Sequence, residues 1–453
     1  MPFQTFQNKI IRTLRVKNAR VPGALGRLAA TIGEHGGLFD DIRTISVGRQ
    51  FTIRDMDVEV DNEDHLSRIL TAIGQLDKVQ ILEVRDEVLE LHHDGKIRMI
   101  SSHEIRTLAD LRKIYTPGVA SVCEAIVENP ELSNLYTAIP SLVAIVTNGS
   151  RVLGLGRIGV VPSMPVMEGK AALLCQLAGL SGVPILVDSD DADEIVNTVI
   201  RISPTFGGIH LEDIATPLCY EVEDRLIEAL DKPVMHDDQH GTAVVALAAI
   251  MNATKVAGFD MQDLHMGQIG LGGAGLAIAK LVMEYTGKPV LGADLSPDAM
   301  GRFKTAGGKP SSMEEIMDEA DLIVACTGIA NLIKPSAVRK GQVILALTNP
   351  DPEINPDRAL AHGARFAADG RLVNNLLGFP GIWRGALDAR ASRITREMYV
   401  AAAESLASQA PEGELLPPPM DQRAHARVAK AVARAALDSG VARVKLDEDY
   451  FER

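Results

Sequence analysis

The stretch QIGLGGAGLAIAKLVMEYTGKPVLGAD (268–294) constrains the fold more than any other part of the chain. Gly270, Gly272 and Gly275, with Gly273 and Ala274 among them, follow a strand-like apolar run and open a helical one. The helical pattern stops at Gly287, a second apolar run follows, and that run ends on Asp294. This order describes a βαβ unit. The glycines make a tight turn, the helix N-terminus receives a pyrophosphate, and the acid meets a ribose hydroxyl. A Rossmann-type domain for NAD is the reading, since an ionised Asp294 repels the 2′-phosphate of NADP. The alternative is a degenerate Rossmann unit that binds nothing. A second run of the same spacing, LGLGRIG (153–159) with Gly154, Gly156 and Gly159, reads as leading into VVPSMP rather than into a helix. It is taken as a Gly-rich loop that lets a ligand approach backbone.

Two acidic pairs follow short apolar strands. KPVMHDD (232–238) ends in Asp237 and Asp238, with a helix expected from about Thr242, and HLEDIATP (210–217) carries Glu212 and Asp213. In open parallel sheets ligands bind at the carboxyl ends of strands. Four carboxylates meeting there would repel one another unless a cation neutralised them. All-oxygen ligation suits Mg²⁺ or Mn²⁺ rather than zinc. His236 and His240 have the i, i+4 spacing of a zinc pair, which matters only on a helix, and this stretch reads as a strand-to-loop junction. The competing reading is that each acidic pair caps a helix N-terminus.

The remaining segments fill in an α/β frame. SLVAIVTNGSRVLGLG (141–156) places two apolar runs about Asn148-Gly149, a hairpin signal. VPILVD, GGIHLED, LHMGQIG, DLIVACTG and QVILALTNP are short apolar runs separated by helical patterns, which argues for parallel sheets. Ahead of them, residues 10–85 read strand, helix, strand, strand, helix, strand: a ferredoxin-like βαββαβ sandwich. A charged connector containing His92-His93 follows; these and other histidines, His103 and His210 included, are left as structural. The tail is a Pro-rich loop (411–419) and an Ala-rich helix (424–438) closed by Gly440.

Bulk properties exclude several classes. Lys plus Arg number 46 against 60 Asp plus Glu, a formal charge of −14, which disfavours non-specific nucleic-acid binding. Four separated cysteines imply neither a zinc ribbon nor a disulfide framework. The first twenty residues lack a signal-peptide apolar run, and no window reaches the ~18 apolar residues of a membrane span. A cytoplasmic protein is expected.

With these segments in view, the chain resembles the malic enzymes of compact bacterial type over roughly residues 100–400. The resemblance rests on IYTPGVA (114–120), TNGSRVLGLGRIG (147–159), PVMEGKAALL (165–174), HLEDIATP, HDDQHGTA (236–243), GLGGAG (270–275), ALTNP (346–350) and LVNNLLGFPGI (372–382). The front unit resembles a ligand-sensing ACT domain through NARVPGALG (18–26) and its element order. The resemblance implies four parts: an ACT-like regulatory domain (1–88), an α/β catalytic domain (89–240), a Rossmann NAD-binding domain (241–400) and a C-terminal helical segment (401–453). It implies a homodimer or higher homo-oligomer, with a small-molecule effector at the ACT unit near Asn18, Gly23 and Leu25.

The implied reaction is oxidative decarboxylation of L-malate to pyruvate and CO₂, with NAD and Mg²⁺ or Mn²⁺. Lys170 matches the family's base, made neutral by burial beside a cation. Tyr115 matches the acid that protonates the enolate carbon. Glu212, Asp213 and Asp238 match the metal ligands, and Asp237 the neighbour that orients Lys170. Arg151 matches a guanidinium gripping a malate carboxylate, and Asn349 and Asn375 match amides that reach substrate and nicotinamide. Each has a structural alternative: Tyr115 as a strand-edge aromatic, Lys170 as a surface lysine, Arg151 in a cross-hairpin ion pair, Asn374-Asn375 as turn formers. Arg157 departs from the small acidic or amide residue the family carries in that loop. NADP stays open as cofactor, because relatives that use it can keep the acid at 294, and Arg302 and Lys304 lie close by in sequence. Two other readings remain: another ACT-regulated dehydrogenase, which would need no metal, and a ligand sensor with a vestigial catalytic portion.

Overall fold

The computed structural model describes residues 10–152, 155–371 and 373–452. The first nine residues, Leu153 and Gly154 of the LGLGRIG run, and Leu372 of LVNNLLGFPGI lie outside the described residues. The chain divides into two compact units, 1–96 and 97–453.

In the first unit, strands β1 (Ile10–Ala19), β2 (Leu38–Val47), β3 (Phe51–Val60) and β4 (Val79–Arg85) form an antiparallel sheet of order β2-β3-β1-β4. The helices Ala24–Glu34 and Glu63–Gly74 follow β1 and β3. The period-2 alternation of the strands sets the two faces. Leu14, Val16, Met56 and Val58 pack with Leu28, Ile32, Ile69 and Ile73 of the helices. The opposite face is charged and buried in part: Asp55 accepts from Arg15 and Arg85, and Asp57 from Thr13 and Arg43.

The second unit holds two parallel sheets. β5 (Leu142–Thr147), β6 (Ser181–Leu186), β7 (Gly208–Leu211) and β8 (Val234–His236) run in the order β6-β5-β7-β8. β9 (Met266–Ile269), β10 (Leu291–Ala293), β11 (Lys309–Pro310), β12 (Leu322–Ala325), β13 (Val343–Ala346) and β14 (Phe366–Asp369) run in the order β11-β10-β9-β12-β13-β14. Helix Asp237–Ala257 leaves the first sheet, is buried along most of its length, and packs on helices Gly273–Thr286 and Arg396–Ser408. Its Ala-rich faces let neighbouring backbones come close, so one apolar cluster takes in Val143 and Ile145 of the first sheet and Val324 and Leu345 of the second. Among the described residues no helix is long and apolar enough to cross a membrane.

Three local expectations are corrected. The run about Asn148-Gly149 is not a hairpin: β5 is flanked on both sides by parallel strands, leaving no edge for a return strand. Gly149 instead turns the chain at φ +63°, where a Cβ would lie 2.3 Å from the Gly159 carbonyl oxygen. LGLGRIG does lead into a helix, Val160–Ala178. Pro162 falls in its first turn, where backbone N–H groups have no intrahelical partner to lose. The helix after β8 starts at Asp237, five residues before Thr242, so the acidic pair occupies its first turn.

Candidate active site

β7 and β8 are adjacent and parallel, with Leu211 opposite His236, so the residues following each strand emerge side by side. Glu212 and Asp213 follow β7; Asp237 and Asp238 follow β8. Oxygens of Glu212, Asp213 and Asp238 all lie within 4.8 Å of one another. The Asp213 backbone N–H donates to Asp238 Oδ2 at 3.1 Å. Asp213 itself sits at φ +55°, a left-handed conformation that Asp tolerates better than most residues. Asp237 and Asp238 lie in the first turn of the helix, where its positive end favours them, but the N-cap is His236 and makes no side-chain capping bond.

Lys170 approaches from helix Val160–Ala178. Gly182 of β6 lets that helix close on the sheet, since a Cβ there would lie 2.7 Å from the Ala171 Cα. Lys170 Nζ donates to Asp237 Oδ2, stands 3.2 Å from Glu212 Oε1, and lies 4.4 Å from the Phe379 ring centroid. Burial by itself would lower the Lys170 pKa, but the charges of Asp237, Glu212 and Asp238 outweigh it and raise it above the usual lysine range. Burial alone thus does not make this lysine neutral. Burial pushes Glu212 up to about 8 and Asp213 up to about 8, with Asp238 adding to both. Asp237 is pushed up to about 6 by burial despite Lys170.

The donor set fits a hard divalent cation. Three carboxylates converge, all donors are oxygens, and Asp213 Oδ2 is buried with no hydrogen-bond partner. His236 and His240 belong to no metal-capable group among the described residues. The His240 ring turns instead toward Glu223, which also accepts from the His236 backbone N–H, and stacks on Tyr399, while both buried ring nitrogens of His236 have no hydrogen-bond partner.

The dinucleotide turn lies beside this cluster. Gly270 follows β9 at φ +88°, and Gly273 opens helix Gly273–Thr286 after Gly272. A Cβ on Gly275 would lie 2.0 Å from the Gly270 carbonyl oxygen, so only glycine allows turn and helix to fold together. Asp294 follows β10 and ties down the same turn, accepting from the Leu271 N–H at 2.7 Å. Arg151 links the two regions. Its backbone N–H donates to the Asp213 carbonyl, and its guanidinium lies 3.8 Å from the position a Cβ would take on Gly273.

Other expected residues are placed differently. Tyr115 ends helix Leu108–Ile114 with 67% of its surface exposed, and no hydrogen bond joins it to Lys170 or the acids. Asn349 Nδ2 donates to the Gly370 carbonyl past the carboxyl end of β13, and Asn375 lies by Gly241 on the Asp237 helix. Arg157 pairs with exposed Asp190, which also accepts from Asn148. In the first unit, the Asn18 amide is spent on the Ala19 carbonyl and Arg54, Gly23 caps a helix at φ +79°, and Leu25 is partly buried beside the core.

One further residue touches the cluster. His210, left as structural, donates or accepts at Glu212 Oε2 over 2.6 Å and is wholly buried. Burial lowers its pKa to about 4. The signal available was position: two residues before an acid along a strand puts both side chains on one face.

Carboxylates able to hold a cation, beside a dinucleotide turn, fit a nucleotide-linked oxidoreductase. Comparison with known proteins narrows this. The family models "Malic enzyme, N-terminal domain" and "Malic enzyme, NAD binding domain" match residues 94–192 and 337–437. The NAD-dependent malic enzyme 1 of Bacillus subtilis is 53% identical over 430 residues, 94% of this chain and 98% of that one. The NAD-dependent malic enzyme of Geobacillus stearothermophilus is 38% identical over 457 residues, 95% of each chain. The crystal structure of the malic enzyme from Pyrococcus horikoshii matches with a TM-score of 0.77 at 38% identity, covering 81% of this chain and 94% of that one. The chain belongs to the malic enzyme family.

Proposed function

We propose that this chain oxidises and decarboxylates L-malate to pyruvate and CO₂ with NAD, using Mg²⁺ or Mn²⁺ held by Glu212, Asp213 and Asp238. The observation that carries the reading is the buried Lys170, joined to Asp237 and Glu212 at the edge of a carboxylate cluster with an orphaned Asp213 oxygen. When bound, NAD supplies a hydride acceptor and the divalent cation a Lewis acid. A bound cation would neutralise Glu212 and Asp238, two of the charges that hold a proton on Lys170, leaving its Nζ able to take the proton of the malate hydroxyl, and Asp237 fixes its direction. Arg151 grips a malate carboxylate with its two-pronged guanidinium. Gly270, Gly272, Gly273, Ala274 and Gly275 present backbone N–H groups and the helix N-terminus to the pyrophosphate. Asp294 serves the ribose end, and Asn349 and Asn375 orient substrate and nicotinamide. Tyr115 returns a proton to the enolate carbon, which requires its exposed ring to be brought to the cluster.

The first unit is read as an ACT-like effector domain, supported by its strand order and two helices, and the working enzyme as a cytoplasmic homodimer or higher homo-oligomer. The test is a malate assay with NAD and with NADP, with and without Mn²⁺. Pyruvate formation that needs Mn²⁺ and prefers NAD is expected. Turnover unaffected by EDTA would overturn the reading in favour of a metal-free dehydrogenase.

A further inference from the structure

A chain of contacts that ends at Glu212 begins at the only tryptophan in the sequence. Trp383 lies in helix Phe379–Asp388 and His210 in β7, and both are wholly buried. The Trp383 Nε1–H stands 2.9 Å from His210 Nδ1. An indole nitrogen only donates, so Nδ1 must accept. The ring proton of neutral His210 is then on Nε2, which faces Glu212 Oε2 at 2.6 Å. Oε2 is thereby occupied as an acceptor. The second oxygen, Oε1, is the one turned toward Lys170. Without the indole donor, the proton could move to Nδ1, and a ring lone pair would face the carboxylate.

The surroundings are shaped for this contact. β7 gives up a side chain at Gly208, where a Cβ would lie 2.2 Å from the indole Cζ3. Gly381 and Gly385 let the same helix press on Gln422–Asp438, where Cβ atoms would lie 2.6 Å from Val428 Cγ1 and 2.3 Å from the Ala429 oxygen. The ring of Phe379 meets His210 edge-on at 5.7 Å, closing the remaining space.

We infer that Trp383 and His210 are positioning residues for divalent-cation binding, with Trp383 setting the histidine tautomer that aims Glu212 at the ion. This rests on the reading of Glu212 as a ligand. Residues that hold a metal ligand by hydrogen bonds typically account for about 10- to 100-fold in metal affinity.

The test measures Mn²⁺ dissociation constants on the full-length protein without substrate, by the electron paramagnetic resonance of free Mn²⁺. NADH binding is the control. Trp383→Phe, which keeps an aromatic ring but loses the donor, is expected to weaken Mn²⁺ about tenfold or more and leave NADH binding within about twofold. His210→Gln, able to accept from the indole and donate to Glu212, should restore most of the affinity that His210→Ala loses. Glu212→Gln separates the two readings. If Glu212→Gln weakens Mn²⁺ and Trp383→Phe does not, the relay is wrong and the ligand assignment stands. If neither weakens it, both are wrong. The wild-type protein gives an independent readout, because ¹⁵N-tryptophan labelling yields one indole N–H resonance. That resonance should shift on adding Mg²⁺ alone; an unmoved signal overturns the relay.

Discussion

Lys170 and Asp237 meet as a buried ion pair although 67 residues separate them in the chain. The lysine side chain is 10% exposed and the aspartate 0%, so neither charge is stabilised by bulk water. Such pairs gain little net stability, while removing one partner leaves a costly unpaired charge. The pair is therefore a poor source of stability, which agrees with the chemical role proposed for Lys170.

Lys170→Ala is expected to lower kcat for malate about 10²- to 10⁴-fold, the usual reach of a general base, with NADH affinity kept. Steady-state kinetics and NADH fluorescence titration check this. Normal turnover in the variant would remove Lys170 from the mechanism.

Gly275→Ala should damage the nucleotide site selectively. The added methyl would press on a backbone oxygen at 2.0 Å, which cannot swing aside. NADH affinity should fall about tenfold or more while Mn²⁺ affinity holds. Equal losses of both would mean the turn and the acid cluster are not separable.

Cation binding should release protons near neutrality. Glu212 and Asp213 are pushed up to about 8 from ordinary values of 4.5 and 3.8, and Asp237 to about 6. A raised carboxyl pKa stabilises the fold fully below the unfolded value and loses that contribution as pH rises through the folded value. The metal-free protein therefore loses these contributions between about pH 4 and pH 8. The cation requires the ionised forms. Mn²⁺ should bind more tightly at pH 8 than at pH 6, and should raise Tm more at the higher pH. Calorimetry at pH 7 in buffers of different ionisation enthalpy should show protons released; a buffer-independent heat would contradict the buried-acid assignment.

Gly208→Ala should destabilise by about 1–3 kcal/mol, the range for overpacking a filled core. Its Cβ would overlap the Trp383 indole. Chemical denaturation followed by the single tryptophan reads the change directly. An unchanged midpoint would show that the indole can shift without loss.

Deleting residues 1–96, a compact unit by itself, should leave basal malate oxidation and remove any response to small effectors. A folded truncation without activity would show that this unit takes part in catalysis or assembly.

Much of the frame was legible because its signals are local. The turn at 270–275 followed by a helix, and parallel strands ending in acids, come from periodicity and glycine spacing. The error at Asn148-Gly149 arose because a turn dipeptide reports a turn, not the strand that follows; the pairing of β5 with β6 and β7 on both sides is decided by contacts distant in sequence. The helix start at Asp237 was misplaced because two adjacent acids read equally well as loop and as first turn. The charge state of Lys170 could not be read at all, since it depends on three carboxylates delivered by other segments. His210 reads as structural in the sequence for the same reason: its donor, Trp383, lies 173 residues away.

Asp213 sits in a left-handed conformation that glycine enters freely, and it carries a buried oxygen with nothing to bond. Both features are liabilities for a folded chain. Exchanging it for glycine would relax the loop and discard a desolvated acid, giving a sturdier protein that, with Asp213 the ligand proposed above, would bind its cation less well. Position 213 is therefore a point where selection for durability and selection for turnover pull in opposite directions, and laboratory evolution for heat resistance alone should drift away from aspartate there.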